Sequence, residues 1–211
     1  MLRPRTDKGP YGPHSRNKLD RGVAETQAES AMSNKRAYEP AIVRPSTAAD
    51  IGAVQRIYAH HVLHGLASFE AEPPSVEEMA RRRQAVLDGG YPYLVAERGG
   101  EVVGYTYAGP YRTRPAYRYT AENSVYIRHD CVGQGVGRAL LHELIPLCEK
   151  AGLRLLVAVI GDSGNAASIE LHRRAGFAEI GTIRAVGWKF DRWVDSVLMQ
   201  RPLGAGDSTP P

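Results

Sequence analysis

Residues 133–138, Gly-Gln-Gly-Val-Gly-Arg, carry three glycines in alternate positions. They stand just ahead of Leu140, Leu141, Leu144, Ile145 and Cys148, an apolar repeat at three- and four-residue spacing that predicts a helix. Val125, Tyr126 and Ile127, β-branched or aromatic, predict a strand upstream. Glycines permit a tight turn and a close approach of main chain to ligand. The free N–H groups and dipole of a helix start favour an anion there. The chemistry suited to this spacing is a pyrophosphate cradle built from Gly133, Gln134, Gly135, Val136, Gly137 and Arg138. An ATP-binding P-loop is excluded, because Gly137 is followed by Arg138-Ala139 rather than Lys-Ser/Thr. A dinucleotide fingerprint needs Gly-x-Gly-x-x-Gly early in a βαβ unit, and this stretch has neither the spacing nor the place. A plain strand-to-helix turn is the remaining alternative.

Residues 110–119 mix Tyr111, Arg112, Arg114, Tyr117, Arg118 and Tyr119. Such a mixture suits RNA, a pocket where an arginine fork grips a carboxylate or phosphinate, or a solvated loop. His60, His61 and His64 raise the question of a metal. No carboxylate or cysteine motif accompanies them, so they read as polar residues near a helix end, and no metal is expected. Cys131 has no base at useful spacing and is incidental on this reading.

At 211 residues and 43% hydrophobic, the chain suffices for one domain with some excess. No apolar run approaches the ~20 residues of a membrane span, and the amino-terminal stretch lacks the apolar segment of a signal peptide. No membrane association is expected. Two cysteines make no disulfide framework and point to a reducing cytoplasm. The pI of 9.1 raises nucleic-acid binding. However, residues 1–38 hold eight Lys/Arg against four Asp/Glu, while residues 39–211 hold nineteen of each. The basic excess lies wholly in the first segment, so no nucleic-acid partner is expected of the rest.

Residues 1–38 read as a disordered extension. Asp7, Asp20, Glu25 and Glu29 argue against a transit peptide, and Met32 leaves a later start open. Ala41–Arg44 predicts the first strand. Ser46 or Thr47 with Asp50 caps a helix through Ile51, Val54, Ile57 and Tyr58. Ser75-x-x-Glu78 opens a second helix running to Leu87. Tyr93–Glu97 and Val102–Tyr107 flank Arg98-Gly99-Gly100-Glu101 as a hairpin. Leu153–Ile160 reads as a buried strand, and Ala166–Ala175 as a short helix stopped by Gly176. Thr182–Phe190 and Asp195–Met199 predict the last strands, with a tail beyond. The domain is expected over residues 39–203, and the tail over 204–211.

Gly135-x-Gly137-x-x-Leu140 on a strand–loop–helix resembles the acetyl-CoA motif of the GNAT N-acetyltransferases. Asn165–Phe177 resembles that family's next block. Residues 187–195, Gly-Trp-Lys-Phe-Asp-Arg-Trp-Val-Asp, resemble the tail of its phosphinothricin and methionine sulfoximine acetyltransferase branch, and Arg114-x-x-Tyr117 and Glu122-x-x-Val125-Tyr126 fit the same branch. The similarity runs from about Ile42 to Leu203. One departure is Val132, where the family usually carries Arg or Gln three residues before Gly135.

The resemblance implies an α+β fold: a mixed, mostly antiparallel sheet with helices on both faces, splayed where acetyl-CoA enters. It implies transfer of acetyl to the amine of a small amino-acid-like substrate by direct attack, and a homodimer. Orientation and proton transfer then carry catalysis. Glu122 is the first candidate base, acting directly, through water, or by attracting the ammonium; the alternative is a salt bridge with Arg118 or Arg128. His172 is the second candidate; it stands where many members have a tyrosine proton donor to the thiolate, and its alternative is a satisfied helix histidine. Main-chain groups of Val125, Tyr126 and Ile127 would hold the pantetheine arm and polarise the acetyl carbonyl. The side chain of Asn165 would touch CoA. Phe69, Arg112, Arg114 and Tyr117 would line the amine pocket. Two rivals stand beside this reading: acetylation of another amine or a protein amino terminus, and a CoA-binding protein without catalysis.

Overall fold

The computed structural model describes residues 38–211; the expected extension, Tyr38 apart, lies outside the described residues. The strands are β1 (Ile42–Pro45), β2 (Tyr93–Arg98), β3 (Glu101–Pro110), β4 (Thr120–Ile127), β5 (Leu155–Gly161), β6 (Ala178–Lys189) and β7 (Arg192–Pro202). The helices are α1 (Ile51–His64), α2 (Val76–Asp88), α3 (Val136–Lys150) and α4 (Ala166–Arg174). The sheet order is β1-β2-β3-β4-β5-β7-β6. Only β4 and β5 run parallel, as a pair joined through a crossover helix must. This is the mixed, mostly antiparallel sheet that the resemblance implies.

The apolar repeats set which helix covers which face. Val136, Leu140, Leu141, Leu144, Ile145 and Cys148 of α3 are buried against Leu94, Ala96, Ala121, Leu156 and Ala158. Ile51, Val54, Ile57, Tyr58 and Val62 of α1 are buried with Met79 of α2 against Tyr93, Val95 and Tyr105. Strand alternation delivers successive residues of β4 to these two cores. Ala121 belongs to the α3 side, whereas Tyr126 packs against the α1 side.

The element ends differ from expectation where tertiary contacts extend them. His60, His61 and His64 lie inside α1 rather than after it. β6 begins four residues before Thr182 because it pairs with β7 from Ala178 onward, and β7 runs through Pro202 because its end pairs with β5. Thr47 and Asp50 do close the first turn: the Asp50 carboxylate accepts from the Thr47 amide at 2.6 Å and its hydroxyl at 3.0 Å. Asp50 also takes two bonds from Arg44, whose guanidinium reaches Glu97. These bonds to Arg44 hold the Asp50 carboxyl down to about 2. At Ser75 the box is half made. Ser75 Oγ accepts from the Glu78 amide, but the Glu78 carboxylate turns to Arg81 and Arg82. Beyond β7, Leu203 is fully buried, and Arg154 donates to the Pro210 carbonyl at 2.9 Å.

The segment between α1 and α2 crosses the end of β5 with no space to spare. A Cβ on Gly161 would overlap the Leu66 carbonyl oxygen. Lys189 of β6, itself buried, donates to the Ser68 carbonyl at 2.7 Å. Gly161→Ala is expected to destabilise the fold by ~1–3 kcal/mol, as overpacking against main chain does. The check is the urea midpoint: an unchanged value would mean that the crossing is loose.

Candidate functional site

β4 and β5 are paired over only four rungs, from Thr120↔Leu155 to Asn123↔Ala158. Beyond Asn123 they part, β4 staying with β3 and β5 with β7. Arg128 N–H donates to the Val103 carbonyl, and the Thr120 carbonyl accepts from Tyr111. Even-numbered residues of β4 therefore give their main-chain groups to β3, and odd-numbered ones face the other way. The Tyr119 carbonyl, just before the strand, accepts from Arg154 and Leu155 on that side. Val125 and Ile127 thus present main-chain groups to the gap. The Ile127 carbonyl already takes His61 Nε2 at 2.8 Å. Tyr126 gives its main chain to β3, and its ring packs at 5.0 Å from Tyr58. Of the three expected main-chain partners, two face the gap.

The glycine loop lies at the foot of the gap. Gly133 and Gly135 have φ of 78° and 82°, a left-handed region that side chains resist. Gly135 is the N-cap of α3 and offers no side chain to bond the first turn. The amides of Val136, Gly137 and Arg138 therefore have no intrahelical acceptor. The Val136 side chain is buried in the core, and that of Arg138 is exposed. Gln134 turns inward. Its Oε1 accepts from Arg98, and its Nε2 donates to the Asp130 carbonyl at 2.8 Å. Asn165, expected against CoA, caps α4, with Oδ1 accepting from the Ser168 amide at 3.2 Å. Its Nδ2 stays available.

Glu122 lines a pocket of about 380 Å³ on the α1/α2 face, with Tyr58, Met79, Arg82, Tyr93, Tyr107 and Ser124 among its walls. Burial raises the Glu122 carboxyl above the ordinary range, and the charge of Arg112 partly offsets this. The alternative salt bridges do not form: Arg128 pairs with Glu101 and Asp130, and Arg118 lies over the Tyr119 ring. Arg112 stacks on Tyr111, Arg114 is exposed ahead of a single helical turn, and Tyr117 meets Tyr111 edge-on. The Phe69 ring lies against Gly187. None of these four lines the pocket.

A polar cluster stands beside the pocket. Glu70 Oε1 accepts from Tyr58 at 3.0 Å and from Arg82 at 2.6 Å, and Tyr58 also meets Ser68 at 2.8 Å. Burial pushes the Tyr58 hydroxyl up to about 12, so it stays a proton donor. Tyr93, Tyr105 and Tyr107 stack along the sheet. Their i, i+2 spacing with Glu122-x-Ser124-x-Tyr126 was the available sign that one face is polar and aromatic.

His172 is on the opposite face of the sheet. It is buried, with Nδ1 at 2.8 Å from the Ser168 carbonyl and Nε2 at 3.0 Å from Asn123 Nδ2. Burial lowers its pKa, against the pull of the Ser168 carbonyl. Glu122 and His172 therefore approach the gap from two sides. Among the described residues no group of His, Cys, Asp or Glu could hold a metal. Cys131 is a buried free thiol whose pKa is raised by burial.

A parted parallel pair with an open helix start below it and a half-buried carboxylate beside it is the arrangement of an acyl-CoA-dependent transferase. The chain belongs to the GNAT acetyltransferases: the model of the acetyltransferase (GNAT) domain matches residues 43–198. Over 162 residues it is 57% identical to a phosphinothricin N-acetyltransferase of Alcaligenes faecalis, covering 77% of this chain and 82% of that one. It is 41% identical to an L-methionine sulfoximine/L-methionine sulfone acetyltransferase of Pseudomonas paraeruginosa, over 81% and 99% of the two chains. A phosphinothricin acetyltransferase from Sinorhizobium meliloti, solved with acetyl-CoA, superposes with a TM-score of 0.80 at 44% identity, over 82% and 94%. The protein is an N-acetyltransferase that uses acetyl-CoA, of the phosphinothricin/methionine sulfoximine type.

Because Arg112 holds the Glu122 carboxyl down, Arg112→Gln is expected to move the acid limb of the pH–rate profile to higher pH. A limb that stays in place would detach Arg112 from Glu122.

Proposed function

We propose that this enzyme moves acetyl from acetyl-CoA to the primary amine of a small amino acid such as phosphinothricin or methionine sulfoximine, with Glu122 receiving the amine's proton. The observation that carries this is Glu122 itself: a half-buried carboxylate with a raised pKa, in a pocket beside the point where β4 and β5 part. The amine enters from the α1/α2 face, and the thioester lies in the gap. The Val125 and Ile127 main chain holds the pantetheine arm, and the α3 amides hold the pyrophosphate. Arg82 is already held by Glu70 and Glu78. The substrate carboxylate is therefore assigned to Arg112 and Arg114 at the mouth, with Tyr117 and Phe69 beside them. His172 acts from the far side of the gap.

Two further readings belong here. A homodimer is supported by the β6–β7 arm, where Ile180, Ile183, Val186, Trp188, Phe190 and Trp193 are all exposed, an apolar array that a lone chain leaves in water. A reducing, cytoplasmic setting is supported by the two cysteines, both free thiols.

The first test is steady-state acetyl transfer to L-phosphinothricin and L-methionine sulfoximine beside a peptide amino terminus. Saturable turnover on either small amine is expected, with Glu122→Gln lowering kcat by ~10²–10⁴-fold. Turnover on the peptide alone would overturn the substrate assignment. For assembly, sedimentation should give a dimer that Trp188→Ser with Trp193→Ser converts to monomer; a monomeric parent protein would end that reading.

A further inference from the structure

Asn123 is 5% exposed and occupies the last rung before β4 and β5 part. Its Nδ2 faces His172 Nε2 at 3.0 Å, while its Oδ1 is buried with no hydrogen-bond partner. Buried amide oxygens are nearly always satisfied, so an unpaired one needs a reason.

The histidine supplies it. Its Nδ1 lies 2.8 Å from the Ser168 carbonyl, an oxygen that can only accept. Nδ1 must therefore carry a proton. In a neutral ring the proton on Nδ1 leaves a lone pair on Nε2, and the group facing a lone pair must donate. Asn123 turns its NH₂ to that position. Resting His172 thus has no proton to give at Nε2; it can only receive one there.

We propose that Asn123 is a positioning residue that holds His172 as the neutral Nδ1–H imidazole, and that its unpaired Oδ1 is the acceptor for Nε2–H once His172 takes a proton. A half-turn of the amide about χ2 exchanges Oδ1 for Nδ2. The amine enters as an ammonium and gives its first proton to Glu122. The second leaves the nitrogen as the C–N bond forms, goes to His172 Nε2, and passes to the thiolate sulfur as the C–S bond breaks. His172 is then an acceptor first and a donor second.

The neighbourhood leaves the amide in control. On α4, Glu170 pairs outward with Arg173 and Arg174. Arg201 of β7 donates to the Ala175 carbonyl at the helix end. Glu122 and Ser124 of β4 project to the other face, and β5 brings Leu156, Ala158 and Ile160. Phe177 sets its ring edge-on to the imidazole at 5.1 Å. No charged side chain bears on His172.

The proton route rests on the acetyl-transfer reading; the tautomer does not. The test is ¹⁵N NMR of histidine-labelled protein without cosubstrate, with the signal assigned by His172→Gln. The wild type should show the Nδ1–H tautomer at neutral pH. Asn123→Asp, whose carboxylate only accepts, should bring Nε2–H to neutral pH and raise the titration midpoint by ~1–3 units. The acid limb of kcat should move with it while KM for acetyl-CoA holds. An Nε2–H tautomer in the wild type, a measurement needing no variant, overturns the proposal. So does an Asn123→Asp protein whose midpoint and pH profile stay put. Absence of turnover on every amine would sink the functional reading while the NMR still decides this one.

Discussion

The parting of β4 from β5 is the constraint on which the rest of the structure depends. A parallel pair requires a crossover, and α3 supplies it. Four rungs fix the two strands together, and beyond them each keeps only its antiparallel partner. Main-chain groups with no partner are costly to bury and must face solvent or a ligand. The gap is thus a strand edge that the fold leaves open in the middle of a sheet. On the proposed reading, a chain of amides such as the pantetheine arm satisfies it as a strand would.

The same alternation that builds two cores divides the chemistry. Side chains of Glu122, Ser124 and Tyr126 go to the α1/α2 face, and those of Ala121 and Asn123 to the α3/α4 face. A carboxylate and an imidazole at the gap therefore cannot share a proton directly, and they approach it from opposite faces of the sheet. Burial acts on both in the direction that favours the neutral form: it raises the carboxyl and lowers the imidazole. Each is moved towards the pH at which it can accept a proton and later release it.

What could be read from the chain follows from range. The glycine loop, the α3 repeat and the strands of the hairpin are local patterns, and each stands where the pattern places it. Gly135 is legible because a left-handed N-cap at a helix start selects glycine. The Tyr58–Glu70–Arg82 wall was not legible, since its members come from α1, a loop and α2 and meet only when both helices lie on the sheet. Asn165 shows a related limit. Its residue type suits a ligand contact and a helix cap equally, and the cap appears only with the first turn of α4. Gln134 and Asn123 show the same limit, each choosing a partner far away in sequence.

The loop also shows how a departure from the family pattern is absorbed. Val132 stands exposed where a side chain that could reach phosphate is usual. The loop's order does not need that side chain. Gln134 ties it to the Asp130 carbonyl below and to Arg98 at the end of β2. The Arg98 guanidinium brings a positive charge to the loop from a neighbouring strand. Direct contact between a cation and the ligand is then exchanged for a loop held in shape by its own bonds. On the proposed reading, binding relies on oriented amides at the α3 start, which cost no side-chain entropy when an anion arrives. A cradle of this kind is set before the ligand comes, and on the same reading it sets the orientation of the thioester in the gap.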